Sequence, residues 1–144
     1  MRCFLDANIL FSAAYRSGNT AKAAALLSKM ESCEILSSHY AVEEARRNLE
    51  VKARGRIETL DRLLRRCTLV QEPDGQQLAK AQSELTDPDD APILAAARMA
   101  GADLLITGDV RHFGHLFDQE DYHPRVMRLA DALEFCLRRN RVTR

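Results

Sequence analysis

Asp87-Pro88-Asp89-Asp90-Ala91-Pro92-Ile93-Leu94-Ala95-Ala96-Ala97-Arg98-Met99-Ala100-Gly101-Ala102-Asp103-Leu104-Leu105-Ile106-Thr107-Gly108-Asp109 is the stretch that decides the fold class. It opens with acids and a proline, a helix-start signal: side-chain oxygens accept the first free N–H groups, and the fixed φ of proline suits the first turn. The alanine-rich run that follows favours a helix over residues 91–100, and Gly101 stops it. Leu104-Leu105-Ile106-Thr107 then reads as a short strand, apolar at successive positions, that ends in Gly108-Asp109. A helix feeding a strand that lacks a polar face is the repeating piece of a parallel sheet covered by helices on both sides.

Working outward, the same alternation continues. Arg2-Cys3-Phe4-Leu5-Asp6 is an apolar run stopped by an acid, and Ile9, Leu10, Ala13 and Ala14 share one face of the helix expected after it. Gly18-Asn19-Thr20 is a break whose side chains are expected to cap a helix over residues 21–30. Strands are expected at residues 34–37, 68–70 and 126–127. Helices are expected at residues 39–54, capped by Ser38, at 57–66 after the Gly55 joint, at 76–85 and at 129–138, with a short turn at 112–117. No repeat or long linker divides the chain. The reading is one α/β domain over residues 1–144, a central parallel sheet of four to five strands with helices on both faces, which makes three α/β/α layers.

Lysine and arginine total 21, as do aspartate and glutamate, so net charge announces no nucleic-acid binder. The distribution is less even. Residues 46–66 hold eight basic and three acidic side chains, residues 72–90 hold six acids and one lysine, and residues 125–144 hold six arginines and two acids. Solvated helix faces account for such blocks as readily as binding surfaces do. Cys3, Cys33, Cys67 and Cys136 form no Cys-x-x-Cys pair, and His39, His112, His115 and His123 complete no zinc spacing, so reduced and mostly buried thiols are expected. No apolar run approaches the roughly 18 residues of a membrane span. The chain begins directly with a strand, and a cytoplasmic protein is expected.

The chemistry resides in carboxylates. Ligands of open α/β sheets bind beyond the carboxyl ends of the strands, and Asp6 and Asp109 each follow an apolar strand. Asp90 starts the helix that leads to the second of these. Each acid has a structural explanation alone, because turns and helix starts favour aspartate. Together with an acid from the helix after residue 38, they bring four segments to one expected edge. Clustered carboxylates repel one another and lose hydration, which a bound cation offsets. An all-oxygen donor set suits Mg²⁺ or Mn²⁺ rather than zinc. Such ions stabilise attack on phosphorus, so the reading from the residues is metal-assisted phosphodiester hydrolysis.

These segments resemble a known family. Phe4-Leu5-Asp6-Ala7-Asn8-Ile9-Leu10 is similar to the opening of PIN domains, Asp87 to Ala97 to the segment carrying their third acid, and Leu105-Ile106-Thr107-Gly108-Asp109 to the segment carrying the fourth. The acids are spaced by 38 residues from Asp6 to Glu44, 46 to Asp90 and 19 to Asp109. The resemblance implies a PIN-like fold with Asp6, Glu44, Asp90 and Asp109 as catalytic metal ligands and Mg²⁺ or Mn²⁺ as cofactor. It further implies an endoribonuclease of the VapC-like toxin branch of toxin–antitoxin pairs, with RNA as substrate and an antitoxin as partner. Glu43 and Glu44 point about 100° apart on a helix, so only one of them reaches the site. The family pattern of a small residue six before and an aliphatic residue five after selects Glu44, through Ser38 and Leu49.

Asn8, Thr107 and Asp87 are expected to support the acids, with capping or an ordinary strand threonine as the plain alternatives. Asp89 is expected to be solvated, and His112 and His115 to serve surface or packing roles. Arg46, Arg47, Lys52, Arg54 and Arg56 are expected to meet RNA phosphates or an acidic partner, or to contribute to a homodimer surface. Alternatives remain: a structure-specific nuclease acting on DNA or RNA, a non-catalytic module binding nucleic acid or protein, and a phosphoacceptor receiver domain. The last calls for an acidic pair after the first strand and a late lysine, and the chain has no lysine after Lys80.

Overall fold

The computed structural model describes residues 1–142; the Arg144 counted in the C-terminal basic block lies outside them. Five strands, β1 (Arg2–Leu5), β2 (Glu34–Ser38), β3 (Thr68–Val70), β4 (Leu104–Ile106) and β5 (Arg125–Met127), form one sheet. All pairings are parallel, in the order β3-β2-β1-β4-β5. The helices are α1 (Ala7–Tyr15), α2 (Asn19–Lys29), α3 (His39–Lys52), α4 (Ile57–Leu64), α5 (Gly75–Glu84), α6 (Ala91–Met99), α7 (Val110–Phe113) and α8 (Leu129–Val142). They cover both faces, so the three-layer α/β/α arrangement is present.

Phe4, Leu5, Leu36, Leu105 and Ile106 are essentially inaccessible to solvent and pack against Leu10, Leu27, Leu49 and Leu94 of the helices. Each such side chain contributes about 1.5–3 kcal/mol by leaving water. Gly101, at φ +67°, ends the α6 segment in the left-handed region, which favours glycine at this position.

Several local expectations are corrected. The Asn19 and Thr20 side chains do not cap α2; Gly18 is its N-cap, with no side-chain hydrogen bond. β3 is not buried on both faces: it is an edge strand that pairs with β2 alone, and Thr68 and Leu69 are exposed. Helix α4 stops at Leu64, where the chain winds down through the Arg66 N–H to Leu63 carbonyl and Cys67 N–H to Leu64 carbonyl bonds. A reciprocal cap between Asp74 and Gln77 starts α5 one residue early.

The order of the strands positions the site. The chain runs outward from β1 to β2 and β3, then returns to lay β4 on the other side of β1. The connections therefore diverge between β1 and β4, leaving a crevice at the carboxyl ends of these two strands. Register pairs Leu5 with Ile106. The residues that follow, Asp6 and Thr107, thus emerge side by side.

Candidate functional site

Asp6 ends β1 and caps α1. Its Oδ1 accepts the Ala7 N–H at 2.6 Å, and its Oδ2 accepts the Thr107 hydroxyl at 2.8 Å and Asn8 Nδ2 at 3.1 Å. Thr107 is fully buried and uses its whole bonding capacity: the hydroxyl donates to Asp6 and accepts from Asn8 Nδ2 and the Asp109 N–H, both at 3.1 Å. Asn8 completes the clamp by accepting the Gly108 N–H at 2.8 Å. Asn8 is therefore no helix cap. Its amide ties the β1 end to the β4 end, and Thr107 orients Asp6.

The acids converge. A cleft of about 420 Å³ is lined by Asp6, Glu44, Asp87, Asp90, Asp109 and His112, with Asn8, Tyr40, Lys52 and Asp89 also on its wall. Glu44 faces this cleft, whereas Glu43 lies 3.8 Å from His39, one turn away on α3. Ser38 sets the register of α3 by accepting the Ala41 N–H, and Ala41, Ala45 and Leu49 bury the adjoining stripe. Asp87 accepts the Asp89 N–H and stands at the rim, and Asp89 is exposed.

Asp90 is held differently. Its side chain makes no cap hydrogen bond to α6. His112 Nδ1 lies 2.9 Å from Asp90 Oδ2 and 3.0 Å from Asp109 Oδ2, and Nε2 lies 3.5 Å from Asp87. One N–H cannot align with two oxygens, and both Asp90 Oδ2 and His112 Nδ1 are buried atoms without a properly directed hydrogen bond. The packing or surface role expected for His112 is thus corrected: the ring sits among the acids. The signal lay in Asp109, which starts α7 by accepting the His112 N–H at 3.1 Å and so turns that side chain back toward the site.

Electrostatics follow from this crowding. Burial pushes the Asp6 carboxyl from 3.8 to about 6, opposed by the Thr107 and Ala7 hydrogen bonds and reinforced by Glu44 and Asp90. Burial also raises Asp90, opposed by the charge of His112 and reinforced by Asp109 and Asp87. For His112, burial works downward, but the fields of Asp90, Asp109 and Asp87 prevail and raise it. The donor set fits a cation: Asp87, Asp90 and His112 offer ligand atoms within 4.8 Å of one another, and the Asp90 Oδ2 is buried without a hydrogen-bond partner.

The basic residues divide. Arg46 bonds Asp61 on α4 at 2.9 Å, and Arg56 donates to the Ala14 carbonyl at 2.8 Å, so both join helices. Arg47 and Arg54 are exposed. Lys52 stands on the cleft wall with its ammonium 5.3 Å from the centre of the Phe11 ring.

A doubly wound parallel domain with a carboxylate-lined cleft at its switch point is the class that fold and site define. Within that class the chain belongs to the PIN-domain family, whose model matches residues 2–111. Solved structures share the fold, among them the following two. The crystal structure of PAE2754 from Pyrobaculum aerophilum superposes with a TM-score of 0.64 at 20% identity, over 92% of this chain and 96% of that one. The structure of VapBC-1 from nontypeable Haemophilus influenzae superposes with a TM-score of 0.61 at 18% identity, over 90% of this chain and 99% of that one. No curated protein matches. Among the described residues no helix is long and apolar enough to cross a membrane.

Proposed function

We propose that the chain is a Mg²⁺- or Mn²⁺-dependent endoribonuclease and the toxin of a toxin–antitoxin pair. The observation that carries the reading is the convergence of Asp6, Glu44, Asp90 and Asp109, from four separate segments, on one cleft. Membership of the PIN-domain family supports nuclease chemistry, and the shared fold with VapBC-1 supports the toxin assignment.

Asp6, Glu44, Asp90 and Asp109 would hold the ion, with Asp87 and His112 beside it. When bound, a hard divalent cation supplies Lewis-acid stabilisation for charge on a phosphodiester group and lowers the pKa of water. The protein does the rest. Thr107 and Asn8 fix the Asp6 carboxylate so that its geometry need not be reorganised during reaction. The fields of Asp90, Asp109 and Asp87 favour the protonated form of His112, whose charge would offset their repulsion while the ion is absent. Lys52, at the cleft wall, neutralises a phosphate of the approaching strand. A second cavity of about 460 Å³ shares Asn8 and Asp109 with the cleft and adds Ser12, Thr20 and Arg128, room for a polymer rather than a small ester. Arg47 and Arg54 are the charges open to an acidic antitoxin segment or a longer RNA.

Digestion of matched single-stranded RNA and DNA oligonucleotides tests the reading. Cleavage of RNA with Mg²⁺ or Mn²⁺, lost in chelator and in Glu44→Gln, is expected. DNA cleavage alone would assign a DNA nuclease on the same site. Activity in excess chelator would remove the metal mechanism. Co-purification with the product of a neighbouring reading frame tests the antitoxin.

A further inference from the structure

At the opposite end of the sheet three cysteines meet. Cys3 is in β1, Cys33 immediately precedes β2, and Cys136 lies on the buried stripe of α8 with Leu129 and Ala132. They are 30 and 103 residues apart in sequence, yet their sulfurs all lie within 4.8 Å of one another. Cys3 and Cys136 are buried, and Cys33 is half-buried. Cys67 stays apart and donates its S–H to the Leu63 carbonyl.

We propose that Cys3, Cys33 and Cys136 form a site for a thiophilic divalent ion of the zinc class, separate from the carboxylate cleft. Three thiolates are soft donors and select such an ion over Mg²⁺ or Mn²⁺. Sulfurs at about 2.3 Å from a shared tetrahedral Zn²⁺ lie about 3.8 Å apart, so from a present spacing of no more than 4.8 Å the cluster contracts by at most about 1 Å on binding. The fourth position is available. Cys33 and Cys136 open on a cavity of about 360 Å³, large enough for water, lined also by Asp103, Arg125, Phe135 and Arg139. Three thiolates on a dication leave one negative charge, which would face Arg125 and Arg139 at the cavity wall, where Asp103 also stands and Glu120 lies 3.8 Å from Arg125. The Arg125 Nε is buried without a hydrogen-bond partner.

The thiols divide: Cys3 is pushed up by its hydrogen bond to Cys136 and by burial, Cys33 is pushed up chiefly by burial, and Cys136 alone is lowered. Hydrogen bonding from Cys3 lowers Cys136 to about 7, against burial, with help from Cys33 and Arg139. Binding releases the thiol protons to solvent. Ordinary small apolar packing would explain one buried cysteine, but not three from different elements with their sulfurs within 4.8 Å of one another, two of them at a cavity, while the fourth stays away. A bound ion would tie α8 to the starts of β1 and β2, joining the C-terminal helix to the sheet.

Reduced, chelator-stripped full-length protein titrated with Co²⁺ as the zinc surrogate tests this. One equivalent per chain should produce intense near-ultraviolet thiolate-to-metal absorption, bleached by Zn²⁺, and should raise Tm. Cys33→Ser, whose side chain is half-exposed and tolerant of change, should weaken Co²⁺ binding at least tenfold. Cys136→Ala should abolish the band. Cys67→Ser and Asp6→Asn should keep it, which separates this site from the carboxylate cleft. Absence of the band in reduced wild type, or a band unchanged in both Cys33→Ser and Cys136→Ala, would overturn the site.

Discussion

Asp6→Asn separates two costs that ordinary mutagenesis mixes. The carboxyl moves on folding from its ordinary 3.8 to about 6, chiefly through burial. A carboxyl whose pKa rises on folding binds its proton more tightly in the native state. Its contribution is neutral well below 3.8, falls as pH climbs, and reaches its full deficit above about 6. Those two values give a native-state penalty of about 1 kcal/mol at pH 4.5 and about 3 kcal/mol at pH 7, a difference of about 2 kcal/mol. Asparagine carries no such penalty. It has its own cost, because an amide can keep the Ala7 N–H bond but then presents a donor to Asn8 Nδ2. That cost does not depend on pH and cancels when the variant is compared with wild type at two pH values. Urea denaturation of both proteins in chelator, at pH 4.5 and pH 7, is the assay. Asp6→Asn should gain about 2 kcal/mol on wild type between the two conditions. Saturating Mg²⁺ or Mn²⁺ at pH 7 should restore wild type selectively, by about 2.7 kcal/mol at a hundredfold excess over Kd. A gap between the proteins that does not change with pH, or one that moves in favour of wild type as pH rises, would refute the crowded-carboxylate account.

Glu44→Gln should cost more than about 10–100-fold in nuclease activity, the loss usual when even the partners of metal ligands are removed, while Glu43→Gln stays near wild type. Comparable losses would place the α3 register wrongly. Asp90→Asn should melt higher than wild type in chelator, since it removes a charge penalised by burial and by repulsion from Asp109 and Asp87, which together outweigh the attraction of His112, and loses no cap bond, and it should respond less to added metal. A lower Tm with an undiminished metal response would make Asp90 structural. Thr107→Val keeps the shape but leaves Asp6, Asn8 and the Asp109 N–H each short of a bond. The expected loss is about 1–3 kcal/mol by denaturant unfolding, and a change near zero would deny the threonine its bridging role.

The sequence carried the alternation of elements because its periods are local: Leu104-Leu105-Ile106 is apolar throughout, and Ile9, Leu10, Ala13 and Ala14 recur at helical spacing. It also carried Asp6 and Asp109, since an acid directly after a buried strand points to the sheet edge where ligands bind. The family pattern through Ser38 and Leu49 selects Glu44 over Glu43, and it is Glu44 that stands on the cleft wall. The exposed side of β3 was not legible, because it depends on what packs over the strand in the fold and not on strand composition.

Other features exist only in three dimensions. Asn8 reads either as a support for the acids or as a cap, and the choice rests on Thr107 and Gly108, partners 99 and 100 residues away. Arg46 and Lys52 belong to one basic run, yet one ties α3 to α4 and the other stands on the cleft. His112 enters the acids because a single turn of α7 folds it back between Asp90 and Asp109. Cys3, Cys33 and Cys136 show no metal spacing, and it is the packing of α8 against the starts of β1 and β2 that gathers their sulfurs. Local periodicity and turn chemistry thus determined which elements form and which acids end the strands, because those choices are made between near neighbours. Strand order and helix packing decided which distant side chains share a cleft, because those contacts are set by the burial of whole faces, which no single segment encodes.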